Sequence, residues 1–191
     1  MSVFLQDYQA RLFGMGGVAP KFKYDVGIFM PRFMFGTFVT EALPTVVSNE
    51  GLQKIGLNCI EATMPGRQLA TTEYRYNGPM KKQPYGVIYD ELQLSFLCGA
   101  DYAEKKFFDF WITGIYDDKY NLYYHDDIVS DIVISQNDLH GNPIYTVKAF
   151  DCYPTSVQPM QLDAVATDFQ RLDVRFFYRD FEVIEKELKR K

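Results

Sequence analysis

Apolar and polar residues alternate with a period of two along much of the chain, and this pattern predicts β-strands with one buried face. It is clearest over residues 87–98 and 170–181. The positions that share a face are Leu92, Leu94, Phe96 and Cys98 in the first segment, and Leu172, Val174, Phe176 and Tyr178 in the second. Weaker alternation predicts further strands over residues 22–29, 57–62, 128–134 and 144–152.

One internal segment follows the period of a helix instead. Residues 101–112 carry an apolar stripe with Phe108 at its flank, formed by Ala103, Phe107, Phe110 and Trp111. An aromatic stripe at this spacing is far more often a core face than a cofactor site. Asp101 and Glu104 have the spacing of a capping box, so we expect them to close the first turn of this helix.

Residues 1–20 predict an N-terminal helical arm. Apolar residues, Phe4 and Tyr8 among them, recur at helical spacing over residues 2–13, and three glycines at positions 14, 16 and 17 then end the helix. A helix docked on its own domain would show the same pattern.

Glycine and proline residues, which interrupt helices and strands, and a charged C-terminal stretch predict the remaining segment boundaries. Residues 33–54 contain Gly36, Pro44 and Gly51, and predict a long, insertion-like loop with weak strand content. Residues 182–191 are charged and predict a tail, which we interpret as a frayed helix. The main domain therefore spans residues 21–181.

Residues 71–86 predict an extended hairpin with a polar, tyrosine-rich face. Asn77, Gly78 and Pro79 form a strong turn signal, and we place the tip of the hairpin at residues 77–84. Such a face does not make a self-contained core.

Counting the clearest elements gives about six strands and one central helix. This content predicts a mainly β protein, a sandwich or barrel of two packed antiparallel sheets with the helix packed on it.

Composition narrows the possible functions. The net charge is −5 and the isoelectric point about 5.1, which argues against tight binding of nucleic acid phosphates. The three cysteines form no CxxC pair, so we interpret them as free buried thiols. No apolar run is long enough to span a membrane, and the N-terminus lacks the layout of a signal peptide.

The sequence offers no catalytic constellation. His125 and His140 both fall in predicted loops and lack metal-ligand spacing. The acidic pairs at 117–118 and 126–127 favour a solvated surface over a raised-pKa site. We therefore expect no enzyme activity, no metal and no cofactor.

Several segments together resemble a known family. An aromatic-Pro-Thr turn at Tyr153, Pro154 and Thr155 is followed by a final strand that ends in Tyr178-Arg179-Asp180-Phe181, which resembles an aromatic-acid-aromatic ending. Residues 59–65 resemble a first-sheet strand with a proline exit, and residues 89–111 a strand-then-helix unit ending in Phe108-x-x-Trp111. Taken in chain order, these segments extend over most of the chain and resemble the tail tube proteins of contractile-tailed bacteriophages.

The resemblance implies a structural subunit and its partners. Subunits would form hexameric rings that stack into a tube inside a contractile sheath, assembled in the host cytoplasm and carried in the virion tail. The implied partners are further copies of the chain, the sheath, the tape measure protein, and baseplate and tail-terminator proteins. Double-stranded DNA would pass through without specific binding.

The helical arm and the tyrosine-rich hairpin suggest where such subunits would contact one another. We expect them at the N-terminal arm and the hairpin: Phe4, Tyr8, Tyr74, Tyr76, Asn77, Gly78, Lys81 and Lys82. Alternatives are a ring-forming needle protein of an injection machine, a baseplate-proximal homologue of the tube and, more distantly, a carbohydrate-binding sandwich.

The acidic composition predicts the charge of the inner wall of such a tube. Lys or Arg side chains facing inward would be repeated along the stack and would hold DNA by many phosphate contacts. We therefore expect the lumen to be net negative or neutral. A structure of the assembled ring tests this, and a lumen where Lys and Arg outnumber Asp and Glu would contradict it.

Overall fold

Strands dominate the computed structural model, which describes residues 20–35, 49–75, 78–116, 123–163, 165 and 167–184. The strands of this part are β1 Tyr24–Ile28, β2 Cys59–Ala62, β3 Arg67–Tyr74, β4 Lys81–Tyr89, β5 Leu92–Leu97, β6 Ser130–Asn137, β7 Pro143–Val157, β8 Arg171–Phe177 and β9 Asp180–Ile184. The helices are α1 Asn49–Leu57, α2 Ala103–Ile115 and α3 His125–Ile128, with a 3-10 turn at Arg32–Phe35.

Strand β7 joins two antiparallel layers. The strand order is β1-β6-β7-β8-β5-β2, with β9 also paired to β7. The first half of β7 pairs with β6 and β9, and its second half pairs with β8. Between the halves Asp151 has a φ of 52°, and the register with β6 shifts by one residue. A bulge of this kind bends a strand, so β7 contributes to both layers.

The alternating patterns seen in the sequence line the space between the layers. Leu94 faces Val174 across the β5–β8 ladder, and both are fully buried. Val26, Ile132 and Ile134 supply the opposite layer. The prediction of a mainly β, two-sheet fold is therefore confirmed.

Helix α2 fills the core with aromatic rings. Phe107, Phe108 and Trp111 are buried, and Phe108 lies 5.0 Å from the ring of Phe96. The Trp111 indole N–H donates to the Ile128 carbonyl oxygen at 2.9 Å. Phe107 and Trp111 are buried as predicted. Phe108, which was placed at the flank of the stripe, is instead at its centre, and Phe110 is only half-buried.

The predicted capping box is wrong. Tyr102 precedes the helix in a left-handed conformation, and no side chain caps the first turn. Glu104 is buried and accepts hydrogen bonds from the Asn58 side-chain amide at 2.6 Å and the Gly99 backbone amide at 3.2 Å. It therefore links the end of α1 to the loop after β5 rather than closing the helix on itself.

Part of the predicted loop over residues 33–54 is helical. Residues 36–48 lie outside the described part of the chain, but α1 begins at Asn49 and ends at Leu57, a residue expected in a strand. Gly56 approaches the Val26 carbonyl so closely that a Cβ atom could not be accommodated. The sequence pattern missed α1 because only a few apolar residues, such as Ile55, are needed to bury its inner face.

His125 was expected in a loop but begins the short helix α3. Three boundaries of strands also differ from the prediction. Tyr153, Pro154 and Thr155 do not form a turn but continue β7. Pro154 has no backbone N–H to donate, and it lies beside a shift in the β7–β8 register, where a proline is tolerated. The last predicted strand breaks after Phe177 into β8 and β9. Residues 182–184 belong to β9 rather than to a helical tail, and residues 1–19 and 185–191 lie outside the described part.

Substituting Trp111 tests the packing of α2. Because its ring is fully buried, we expect Trp111→Ala to lower the free energy of unfolding by about 3–5 kcal/mol. Urea denaturation measures the loss, with Lys106→Ala on the exposed side of α2 as the control. A loss below about 1 kcal/mol would contradict this packing.

Candidate assembly surface

Strands β3 and β4 form a hairpin that is a separate two-stranded sheet. Arg67 pairs with Tyr89 at its base and Tyr74 with Lys81 near its tip. Tyr85 is the extra residue of a bulge, since Ala70 pairs with Gly86 and Thr71 with Pro84. The hairpin therefore spans residues 67–89 and is longer than the predicted 71–86, and residues 81–84 lie in a strand rather than at its tip.

Both faces of the hairpin are open to solvent. Neither strand contains a buried residue, and only Ala70, Gly86 and Tyr89 reach half-burial. Large apolar side chains on it are nonetheless 45–73% exposed: Leu69, Tyr74, Met80, Tyr85, Val87 and Ile88. Large apolar side chains that are this exposed along one hairpin are typical of an interaction site.

The tip carries part of the predicted contact set. Tyr74, Lys81 and Lys82 lie together at the distal end of the hairpin and are exposed, with Lys82 Nζ 3.2 Å from the Glu73 carboxylate. Gly78 accepts a hydrogen bond from Arg75 Nε at 3.0 Å. Tyr76, Asn77, Phe4 and Tyr8 lie outside the described residues, so their contacts stay predictions.

An arginine anchors the base of the hairpin. The guanidinium of Arg67 lies 4.3 Å from the centre of the Phe181 ring. It donates to the Phe181 carbonyl oxygen at 2.7 Å and to the Asp180 carboxylate at 3.2 Å. A planar, charged group stacked on a ring and bonded along its edge is a strong orienting contact.

Aromatic side chains complete the anchor. Tyr178 is buried, and its hydroxyl donates to the carbonyl oxygen of Gly66, the residue before β3, at 3.2 Å. The Tyr89 ring packs edge-on against Tyr178 and Phe181, at 5.7 and 6.2 Å. The hairpin is thus fixed at its base while the rest of its length projects freely.

The anchor is intact at neutral pH. The backbone amide of Phe181 chiefly lowers the pKa of the Asp180 carboxyl, assisted by Tyr89 and Arg67. Because the folded-state pKa is depressed, the contribution of Asp180 is present at neutral pH and is lost as the pH falls through that lowered pKa.

The described residues offer little chemistry. No group of three or more His, Cys, Asp or Glu side chains among them is arranged to hold a metal ion. Burial raises the pKa of the Cys59 and Cys152 thiols to about 12, so neither is a reactive thiolate. None of the helices in this part is long and apolar enough to cross a membrane.

A groove of about 580 Å³ opens between the edges of the two layers. It runs between β1 and β2, where the Tyr24 hydroxyl donates to the Cys59 carbonyl oxygen at 3.1 Å. Its wall is mainly apolar, with Phe22, Ile60 and Met64 exposed. The charged lining residues are Lys21 and Glu61, which do not form a catalytic pair.

The sequence did not reveal Arg67 or the apolar residues of the hairpin. Arg67 and Asp180 are 113 residues apart, and nothing local links them. Leu69, Val87 and Ile88 alternate too weakly to distinguish an exposed ribbon from a buried strand. The available signal was the aromatic-acid-aromatic ending at Phe181, which indicated a special geometry at that point without identifying its partner.

Comparison with known proteins agrees with this architecture. The family model described as phage tail tube protein matches residues 19–184, which cover most of the chain. The protein belongs to the phage tail tube protein family, a family of structural proteins and not of enzymes. No curated protein sequence matches the chain.

Solved structures of contractile injection systems share the fold. A chain from the anti-feeding prophage (AFP) baseplate is 15% identical, with a TM-score of 0.63 over 90% of this chain and 98% of that one. A chain from the sheath/tube terminator of an extracellular contractile injection system, PVC, is also 15% identical, with a TM-score of 0.59 over 88% and 97%. A chain from the PVC sheath-tube complex reaches 0.56 at 17% identity over 87% and 91%.

Loosening the anchor tests whether Arg67 orients the hairpin. We expect Arg67→Ala to speed amide hydrogen exchange at the base of the hairpin, residues 67–68 and 88–89, while the free energy of unfolding changes by less than about 1 kcal/mol because the pair is half-exposed. Arg67→Lys should give an intermediate result, since it keeps the charge but not the planar stack. Arg171→Ala is the control, and unchanged exchange in Arg67→Ala would contradict the role.

Proposed function

We propose that this protein is the tube subunit of a contractile phage tail and that it assembles by itself into stacked hexameric rings. The observation that carries the proposal is the β3–β4 hairpin, with its exposed apolar side chains and two open edges. Membership of the tail tube family supplies the class of assembly.

Self-association would bury apolar side chains of the hairpin and pair backbone groups that are exposed in the monomer. Leu69, Val87 and Ile88 are 49–66% exposed, so each gains only the remaining part of the burial energy of a large apolar side chain, roughly 1–2 kcal/mol. The unpaired backbone groups along β3 and β4 gain partners when a neighbouring copy adds a strand or covers the edge. A rigid base lowers the ordering cost of this contact, because Arg67 already fixes the direction of the ribbon.

The same proposal accounts for the partners. Rings of this chain surround the tape measure protein during assembly, contact the sheath on the outside and the baseplate and terminator at the ends, and conduct double-stranded DNA. AFP and PVC structures that share the fold include a baseplate, a tube terminator and a sheath-tube complex, which fits these roles. The protein accordingly works in a virion tail after assembly in the host cytoplasm.

Deleting the distal hairpin tests the proposal. We expect removal of residues 77–83 to leave a folded monomer, because both faces of the distal hairpin lie outside the core. The variant should not polymerise at concentrations where the wild type does. Sedimentation velocity and circular dichroism measure the two properties.

The matched control removes residues 139–141 from the exposed β6–β7 turn, which should leave assembly intact. A hairpin deletion that still forms tubes would contradict the proposed interface. A deletion that unfolds while the control does not would place the hairpin in the core.

A further inference from the structure

The loop over residues 158–170, here called the β7–β8 loop, presents a second unsatisfied surface. It contains three of the most exposed large apolar side chains in the described part: Leu162, Val165 and Phe169, at 83%, 86% and 80%. Several highly exposed large apolar side chains in one loop are typical of a surface that a partner covers, as on the hairpin.

The β7–β8 loop and the hairpin lie at opposite ends of one layer. Strand β5 starts at Leu92, just after the hairpin, and Leu92 pairs with Phe176. It ends at Leu97, which pairs with Arg171, the first residue of β8 after the loop. The six residues of β5 span about 20 Å, so the base of the hairpin and the β7–β8 loop lie at opposite ends of this layer.

The two surfaces carry opposite charge. The distal hairpin presents Arg75, Lys81 and Lys82 against a single acid, Glu73. Residues 158–170 include Asp163 and Asp168 and no Lys or Arg. Each surface thus combines exposed apolar side chains with charges that the other complements, which is the composition of a specific interface with steering charges at its rim.

We propose that the β7–β8 loop is the acceptor for the hairpin tip of a second copy of this chain. The contact is head-to-tail, because donor and acceptor sit at opposite ends of each subunit, and every copy therefore offers one of each. It rests on the proposed self-assembly and names the surface that the hairpin binds.

Asp163 also shapes the acceptor. Its carboxylate accepts a hydrogen bond from the Val165 amide at 3.0 Å, which turns the chain so that Val165 is exposed. A substitution that tests charge alone must keep a side-chain oxygen there. Asp163→Asn does so, and Asp168 can be reversed to Lys.

The test exchanges the charges of the two surfaces. The hairpin variant is Lys81→Glu/Lys82→Glu and the loop variant is Asp163→Asn/Asp168→Lys. We expect each alone to raise the concentration needed for assembly by tenfold or more. A 1:1 mixture should assemble nearly as the wild type does, because each acidic hairpin then meets a basic loop and each basic hairpin an acidic loop.

The control is Asp126→Lys/Asp127→Asn, which makes the same charge change on α3 and should assemble normally. Variants that assemble as the wild type does, or a mixture that fails to restore assembly, would overturn the proposal. A wild type that never assembles would instead overturn the proposed function.

A covalent trap gives an answer that does not depend on charge. Lys81→Cys/Asp168→Cys should oxidise to a ladder of disulfide-linked oligomers, because each subunit donates one thiol and receives another. Lys81→Cys alone should give no ladder. If the double variant also gives none, while the unoxidised protein assembles, the hairpin tip binds elsewhere.

Discussion

The rest of the structure depends on one constraint, a β-hairpin whose apolar side chains the subunit does not bury. The β3–β4 hairpin has two exposed faces, two open edges and apolar side chains along its length. An isolated two-stranded sheet is marginally stable in water, and an open, apolar edge invites pairing with other chains. The fold holds this ribbon out from the core instead of burying it, which agrees with the proposed self-assembly.

The body of the protein is arranged to hold the base of that ribbon. Tyr178 continues the buried face of β8, and after the break between β8 and β9 Asp180 and Phe181 contact Arg67 of the hairpin. Arg67 then stacks on Phe181 and bonds Asp180, and the Tyr178 hydroxyl reaches Gly66. The aromatic packing of α2 behind these strands supplies the rigidity, since Trp111 lies 6.1 Å from the ring of Phe176.

The sequence predicted the buried layers well and the anchoring contacts poorly, for a physical reason. Alternation in β5 and β8 reflects burial of one face, so the residues themselves carry the signal of the two sheets and of the aromatic face of α2. Helix α1 and the bend at Asp151 carry no such signal, because each is imposed by distant strands. The ion pair between Arg67 and Asp180 forms only because the complete fold brings the start of β3 next to β9. The hairpin was recognisable from its turn residues, but its apolar exposure at Leu69 and Val87 appears only when the rest of the fold is known.

The central claim is that the hairpin is unsatisfied in the free subunit and becomes buried on self-assembly. Amide hydrogen exchange compared between dilute monomer and concentrated assembly tests it most directly. The account predicts rapid exchange over residues 69–87 in the monomer and strong protection of the same residues in the assembly, with β5 and β8 protected in both. Assemblies in which residues 69–87 exchange as rapidly as in the monomer would contradict it.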